Sequence, residues 1–401
     1  MPEPADPSRP ALMVFSDDWG RHPSSCQHLI RRLLPRYPAW WVNTIGMRRP
    51  TLDRATLARA WEKLRQWVSR SRGPEELPAG LEVLNPRMWP WFSRPRDRRI
   101  NRKLLLGQLL PVIESCPSDV IAVATVPLAA ELTDDLPVAR WVYYCVDDFS
   151  QWPGLDQAVL LEMEERLARR ADVLIAVSTT LQDRFARWGR ASALLTHGVD
   201  LEHWQSGGEN VAEPPPLLKD LQRPLVVYWG VIDRRMDSAF IHHLAEAMDR
   251  GTIVLIGPEA DPDPALYRPE RVCRLPGVPY DELPAIARQA AVLVMPYADL
   301  PVTRAIQPLK MKEYLATGKP VVSRRLPSTE PWADALDVAG SPEEFSRAVL
   351  LRLAEGLPDS QAAARQRLHQ ESWTEKARQF EQLALAPGMS GAGAEEAADV
   401  G

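Results

Sequence analysis

The sequence predicts an α/β protein of two doubly wound domains, each a parallel sheet with helices on both faces. Three observations carry that prediction. Short apolar runs rich in Val, Ile and aromatic residues alternate with amphipathic helical stretches, the rhythm of strand–helix–strand units. The rhythm breaks once, across residues 207–224, where Gly-Gly, a Pro-Pro-Pro run and scattered charges suit an interdomain linker, and then restarts. A length of 401 residues is enough for two such domains, each with its own core.

In the first half, residues 11–16, 39–44, 119–124, 140–146 and 172–178 read as buried strands. The stretches 26–34, 52–68, 100–113 and 155–170 read as the helices between them. After the linker, strands are expected at 225–229, 252–256, 291–295 and 320–323, with helices at 238–248, 281–288 and 308–317. Sheets of this kind bind ligands at the carboxyl ends of their strands, so a cleft between two facing domains is the expected place for a site. Residues 388–401 are small, acidic and free of aromatics, the composition of a disordered tail.

Composition excludes several classes. Hydrophobic residues make up 45% and charged residues 25%, the balance of a globular protein. A formal net charge of -5 argues against a general nucleic-acid binder. No apolar run approaches the ~20 residues that span a bilayer. The first ten residues lack the basic-then-apolar layout of a secretory signal. Cys26, Cys116, Cys145 and Cys273 lie far apart and form no CxxC pair, so neither a zinc site nor a disulfide framework is expected, and the reading is cytoplasmic.

Lysine is scarce, which draws attention to Lys310, Lys312 and Lys319, close together in a single stretch. That stretch runs Thr303-Arg304-Ala305-Ile306-Gln307-Pro308-Leu309-Lys310-Met311-Lys312-Glu313-Tyr314-Leu315-Ala316-Thr317-Gly318-Lys319-Pro320-Val321-Val322. Pro308 suits the first helical position and Gly318 the left-handed residue that ends a helix. Lys310 and Glu313, three apart, share a face. Thr303 and Arg304 read as a loop feeding the helix N-terminus, whose unpaired N–H groups favour anions. A cation for phosphate and a carboxylate for ribose hydroxyls, one turn apart, suit a nucleotide diphosphate.

The string Pro-x-Lys-x-x-Glu-Tyr-Leu-Ala-x-Gly-Lys-Pro-Val-Val resembles the donor-site helix of glycosyltransferase family 4 and of bacterial cell-surface-polysaccharide relatives of the teichuronic-acid type. Other stretches agree in order: residues 165–181, His197-Gly198-Val199-Asp200, Val227-Tyr228-Trp229-Gly230, the strand ending Met295-Pro296-Tyr297, and a last helix opening at Ser372-Trp373. The resemblance covers roughly residues 10–385 and is most specific in the second half. It implies the GT-B fold: two Rossmann-like domains facing a cleft, with a C-terminal helix crossing back to the N-terminal domain. The expected organisation is a disordered N-terminus at 1–10, an acceptor-side domain at 11–205, a linker at 206–223, a donor domain at 224–372, a crossover helix at 373–386 and a tail at 387–401.

The resemblance also implies a ribose-binding role for Glu313, with Gly230 as the glycine turn of the donor site. The chain departs from the family at Ala305, where many relatives carry a second glutamate. It also has Val231 and Met236 where relatives often have Arg and Lys. Neutralising the diphosphate then falls to Arg234, Arg235, Arg304 or Lys310, with Thr303 beside them.

On the acceptor side, the first strand leads into Ser16-Asp17-Asp18-Trp19-Gly20-Arg21-His22, where Asp17 or His22 can orient an acceptor hydroxyl or act as a base. The strand ending at Val146 delivers Asp147, among aromatics, to a plausible sugar-binding edge. Trp89, Trp91 and Phe92 precede Arg94, Arg96, Arg98, Arg99, Arg102 and Lys103, a pattern that fits docking on an anionic membrane near a lipid-linked acceptor.

The implied activity is transfer of a sugar from a nucleotide-diphosphate donor to a glycan or lipid-linked acceptor, by retaining chemistry. No metal and no tightly bound cofactor are expected. The competing readings are an inactive nucleotide-sugar-binding scaffold, which Ala305 keeps open, and a sugar-nucleotide epimerase of the same two-domain shape. An epimerase is expected to carry extra cleft carboxylates and histidines, and His242 and His243 fall on a helix of ordinary pattern.

Overall fold

A computed structural model of the protein describes residues 9–20, 24–45, 47, 77–152, 154–205 and 215–386. His22, the expected helix at 52–68, most of the expected linker and the tail from 387 lie outside the described residues. The chain divides into two compact units, Met1–Leu195 with Ala377–Gly401, and Thr196–Lys376. The boundary at the C-terminal end falls inside the last helix.

The first unit holds a parallel sheet of seven strands: β1 (Ala11–Ser16), β2 (Ala39–Asn43), β3 (Leu81–Leu84), β4 (Val120–Ala124), β5 (Arg140–Cys145), β6 (Val173–Ala176) and β7 (Ala193–Leu194). Their order is β3-β2-β1-β4-β5-β6-β7, so the chain reverses direction across the sheet between β1 and β4. Every residue of β1 and β4 is buried, because a central parallel strand is covered on both faces, and all but Ser16 are apolar. The edges β3 and β7 are partly exposed.

Helix α1 (Ser25–Leu33) starts where the Ser24 hydroxyl accepts from the Gln27 N–H at 3.3 Å, and α2 (Pro95–Glu114) starts on a proline whose fixed φ suits that position. Helices α3 (Gln157–Arg170) and α4 (Thr179–Arg187) flank β6 in sequence.

The second unit is a parallel sheet of β8 (Leu225–Trp229), β10 (Thr252–Ile256), β12 (Val272–Leu275), β13 (Val292–Met295), β14 (Val321–Arg324) and β15 (Asp337–Ala339), in the order β12-β10-β8-β13-β14-β15. A two-stranded ribbon of β9 (Ile232–Asp233) and β11 (Glu259–Ala260) stands beyond the ends of β8 and β10. Counted within the unit this is the 3-2-1-4-5-6 order of a dinucleotide-binding fold, with its switch point between β8 and β13.

Its helices are α5 (Leu201–Gln205), α6 (Ser238–Ala247), α7 (Leu283–Gln289), α8 (Pro301–Ala305), α9 (Leu309–Ala316), α10 (Pro342–Glu355), α11 (Asp359–Ala364) and the start of α12 (Trp373–Ala384). Alternate side chains of each strand feed two cores. Leu225, Val227 and Trp229 join Ile286, Met311 and Tyr314 on one face. Val226 and Tyr228 join Phe240, Leu244 and Phe345 on the other.

Two local expectations are corrected. Pro308 is not the first helical residue but the cap before it, its ψ of 119° turning the chain into α9. Thr303 and Arg304 lie in the short helix α8 and not in a loop, because Pro301 starts a turn that the Thr303 hydroxyl closes by accepting from the Leu300 N–H at 2.9 Å. Gly318 does take the left-handed conformation, with φ 73°.

Candidate functional site

At the carboxyl edge of β8 the sheet delivers Tyr228 to one face and Trp229 to the other, and the chain then turns at Gly230 with φ 135°. Helix α9 is fastened to this edge by Tyr314, whose hydroxyl accepts from the Trp229 N–H at 2.9 Å. That fastening sets Lys310 and Glu313, one helical turn apart, against the end of the strand.

The Lys310 ammonium donates to the Tyr228 hydroxyl at 2.8 Å and lies 4.3 Å from the Tyr228 ring centre and 5.4 Å from that of Tyr297, just past β13. A Cβ at Gly230 would fall 2.1 Å from Lys310 Nζ, and one at Gly257 would fall 1.9 Å from the Gly230 carbonyl oxygen. Positive φ values of 135° and 153° keep both turns to glycine, the second also by its clash with backbone, and an ammonium group stands directly over the first of them.

Glu313 is half-buried, and burial raises its carboxyl to about 7, against the pull of the Lys310 charge and of the Tyr280 hydroxyl. Around it stand aromatic rings from three segments of the same unit. Tyr280 stacks on His203 at 4.2 Å and 8°, and Trp204 stacks on Trp229 at 5.4 Å and 11°. Burial, followed by the nearby Glu313 and Asp200 carboxylates, holds the Tyr280 phenol well above its ordinary range, so it remains a hydrogen-bond donor at neutral pH.

The other expected donor-site residues are placed differently. Arg235 grips Asp233 through three contacts of 2.7–3.0 Å and lies within electrostatic reach of Tyr228 and Tyr297, at the border of the site. Arg234 is exposed and pairs with Asp261 at 3.3 Å, and Arg304 pairs with Asp299 at 2.6 Å. Thr303 is fully buried, its hydroxyl donating to the Ala298 carbonyl at 2.5 Å, so it shapes α8. Ala305 is buried as well.

The neighbouring lysines serve the fold. Lys312 is buried against Glu371, the His197 carbonyl and Thr196, and Lys319 donates to the Arg288 carbonyl at 2.8 Å. Burial lowers the Lys312 pKa to about 8, with Glu371 opposing the drop.

In the first unit Asp17 follows β1 and Asp147 follows β5, both at carboxyl ends of strands. Asp17 is exposed, and its carbonyl is held by the Trp41 indole N–H at 2.9 Å. Next to half-buried Asp147 lies a buried network that sequence reasoning missed. Arg184 on α4 bridges Asp148 and Glu164, the latter at 2.7 Å, and Glu164 also accepts from Tyr143 at 2.9 Å. Burial lifts the Glu164 carboxyl to about 7, offset in part by the Tyr143 and Cys145 bonds. The only sequence signal for it was the odd placement of Glu164 on the apolar face of an amphipathic helix.

The two Rossmann-like units, each with the strand order of a nucleotide-binding sheet, give the chain the GT-B fold. No family model matches it. By sequence the chain is similar to TuaH of Bacillus subtilis strain 168, named as a teichuronic acid biosynthesis glycosyltransferase, at 29% identity over 181 residues. That match covers 43% of this chain and 45% of TuaH, so the chain spans less than half the length of the curated relative it matches.

By structure it is similar to sucrose-phosphate synthase from Thermosynechococcus elongatus, with a TM-score of 0.68 and 15% identity over 94% of this chain and 98% of that one. Anabaena HepE in complex with UDP-glucose gives a TM-score of 0.64 and 15% identity over 93% and 98%. The trehalose-phosphate synthase of Burkholderia xenovorans in complex with glucose-6-phosphate gives 0.63 and 14% over 93% and 99%.

Proposed function

We propose that this chain is a glycosyltransferase moving a sugar from a nucleotide-diphosphate donor to a glycan or lipid-linked acceptor in cell-surface polysaccharide synthesis. The observation that carries the reading is the meeting of Lys310, Glu313 and the bare Gly230 turn at the switch point of a Rossmann-like sheet. Glu313 accepts from the ribose hydroxyls. The Gly230 backbone lets the diphosphate approach, and Lys310 meets its charge. Arg234 and Arg304 sit in exposed ion pairs that an arriving diphosphate can displace cheaply, with Arg235 behind them.

The chemistry asked of these groups is electrostatic. As the sugar–phosphate bond breaks, charge grows on the departing diphosphate, and prearranged cations in a partly desolvated site stabilise it more than they stabilise the bound donor. Retention of configuration then needs no enzymic nucleophile and no tightly bound cofactor. Asp17 and Asp147, at strand ends of the first unit, are acceptor-side groups in this reading, together with His22. The name of the sequence relative supports the polysaccharide setting, and the UDP-glucose complex of HepE makes uridine donors the first choice. A cytoplasmic location with peripheral membrane contact belongs to the same reading.

The test is to incubate the protein with UDP-glucose and related donors, with and without glycan or lipid-linked acceptors, and to follow nucleoside diphosphate release and the anomeric signal of the product. Acceptor-dependent release with the donor's anomeric configuration kept is expected. Nucleotide binding with no turnover across acceptors would favour the scaffold, and interconversion of the donor alone would favour the epimerase.

A further inference from the structure

The first unit carries a surface that neither the sheet nor the donor site uses. Residues 89–91 precede α2 and are stapled to it: the Trp89 N–H donates to Asn101 at 2.7 Å, the Trp89 indole to Asp97 at 3.1 Å, and Asn101 to the Trp91 carbonyl at 3.0 Å. The staple holds two indole rings 4.8 Å apart, yet leaves Trp89 37% and Trp91 40% exposed. On α2 itself, Ile100 and Leu104 are 36% and 38% exposed. They are four residues apart and so project from one face, beside Arg96, Arg99 and Lys103. The side of the helix that carries Asp97 and Asn101 adjoins that face. Aromatic, aliphatic and cationic side chains thus follow one another across a single surface.

The charges of α2 fall into two sets. Arg98 is neutralised by Glu131 at 3.4 Å and Glu162 at 3.1 Å, and Arg102 by Asp135. Among the described residues, Arg94, Arg99 and Lys103 have no ion pair, and Arg96 reaches only Asp97 at 3.9 Å. Arg94 and Arg96 also stand in the first turn of the helix, where the macrodipole disfavours cations. The fold gains nothing from that arrangement, which is the mark of a surface kept for something outside it. Exposed apolar groups set among long basic side chains and two tryptophans match the boundary between lipid headgroups and acyl chains. There indoles bury their rings and Arg and Lys reach back to phosphate. A chain of net charge -5 is repelled as a whole by an anionic bilayer, so contact requires a local basic face of this kind.

We propose that Trp89, Trp91 and the Arg96–Ile100–Lys103–Leu104 face of α2 dock the first unit on an anionic phospholipid bilayer at headgroup depth. The inference deepens the acceptor side of the proposed function and rests on it for its purpose, while its test needs neither donor nor turnover. Sedimentation with vesicles of phosphatidylcholine plus phosphatidylglycerol should carry the full-length protein down, and vesicles of phosphatidylcholine alone should not. Added salt should weaken the binding.

The combination Arg96→Glu, Arg99→Glu and Lys103→Glu should lower partitioning at least ~100-fold, at about fivefold for each basic residue lost. Ile100→Ser with Leu104→Ser should lower it at least ~10-fold with the charges intact. All five positions are exposed, so unchanged melting of both variants confirms that the fold is kept. No binding to the mixed vesicles, equal binding to both vesicle types, or binding that survives both sets of substitutions overturns the inference. Nucleotide stabilisation of a protein that ignores vesicles would leave the donor reading standing and sink this one. Vesicle binding without any nucleotide response would do the reverse.

Discussion

Replacing Glu313 by Gln should make the ligand-free protein more stable at pH 8 while weakening nucleotide binding. Burial raises the Glu313 carboxyl from an ordinary 4.5 to about 7. Below pH 4.5 the side chain is protonated both folded and unfolded and contributes no difference. As pH rises, the unfolded chain releases its proton first, so stability falls through the window from 4.5 to about 7 and levels off above it. At 1.36 kcal/mol per pH unit the full cost is about 3 kcal/mol.

Gln is nearly isosteric, keeps an oxygen for Tyr280, and carries no charge to desolvate. Differential scanning calorimetry of the wild type and Glu313→Gln from pH 5 to pH 8 reads the effect. The two melting curves should approach one another at pH 5, with the variant ~5–10 °C higher at pH 8. Because Glu164 also titrates near 7, only the difference between the two proteins reports on Glu313. A variant no more stable than the wild type at pH 8, or a difference independent of pH, would refute the desolvated-carboxylate argument.

Gly230→Ala should keep the sheet but weaken nucleotide binding at least ~10-fold by titration calorimetry, because the new Cβ lies 2.1 Å from Lys310 Nζ and displaces it. Arg184→Met should destabilise the first unit by ~3–5 kcal/mol in a melting assay, since it leaves the buried carboxyl groups of Asp148 and Glu164 without their cation. Tyr280→Phe removes a bond that favours ionised Glu313, so the pH below which nucleotide affinity falls should move upward from about 7, as read from binding at several pH values.

Much of the second unit could be read in advance because its signals are local. The strand at Leu225–Trp229 is five buried residues closed by a glycine, and the three-residue spacing of Lys310 and Glu313 puts them on one helix face whatever surrounds the helix. What escaped depends on contacts distant in sequence. Trp229 and Tyr280 face Glu313 only because α9 is bonded to the end of β8 and the segment after β12 folds over it. The strands β3, β12 and β15 are short, edge-like and partly exposed, so their apolar pattern is too broken to declare itself. Helix α10 passed unread although Ser341 and Pro342 give it a regular start. The arginines expected to serve the diphosphate read alike in sequence. Only packing separates Lys310, over a bare glycine turn, from Arg234 and Arg304 in surface pairs.

The most direct test of the donor site is a thermal-shift measurement with UDP, GDP and ADP on the wild type, Glu313→Ala and Lys310→Ala. One nucleotide is expected to raise the melting temperature of the wild type and to lose that effect in both variants. Stabilisation that persists in both variants would place the nucleotide elsewhere, and no stabilisation by any of the three would contradict the assignment itself.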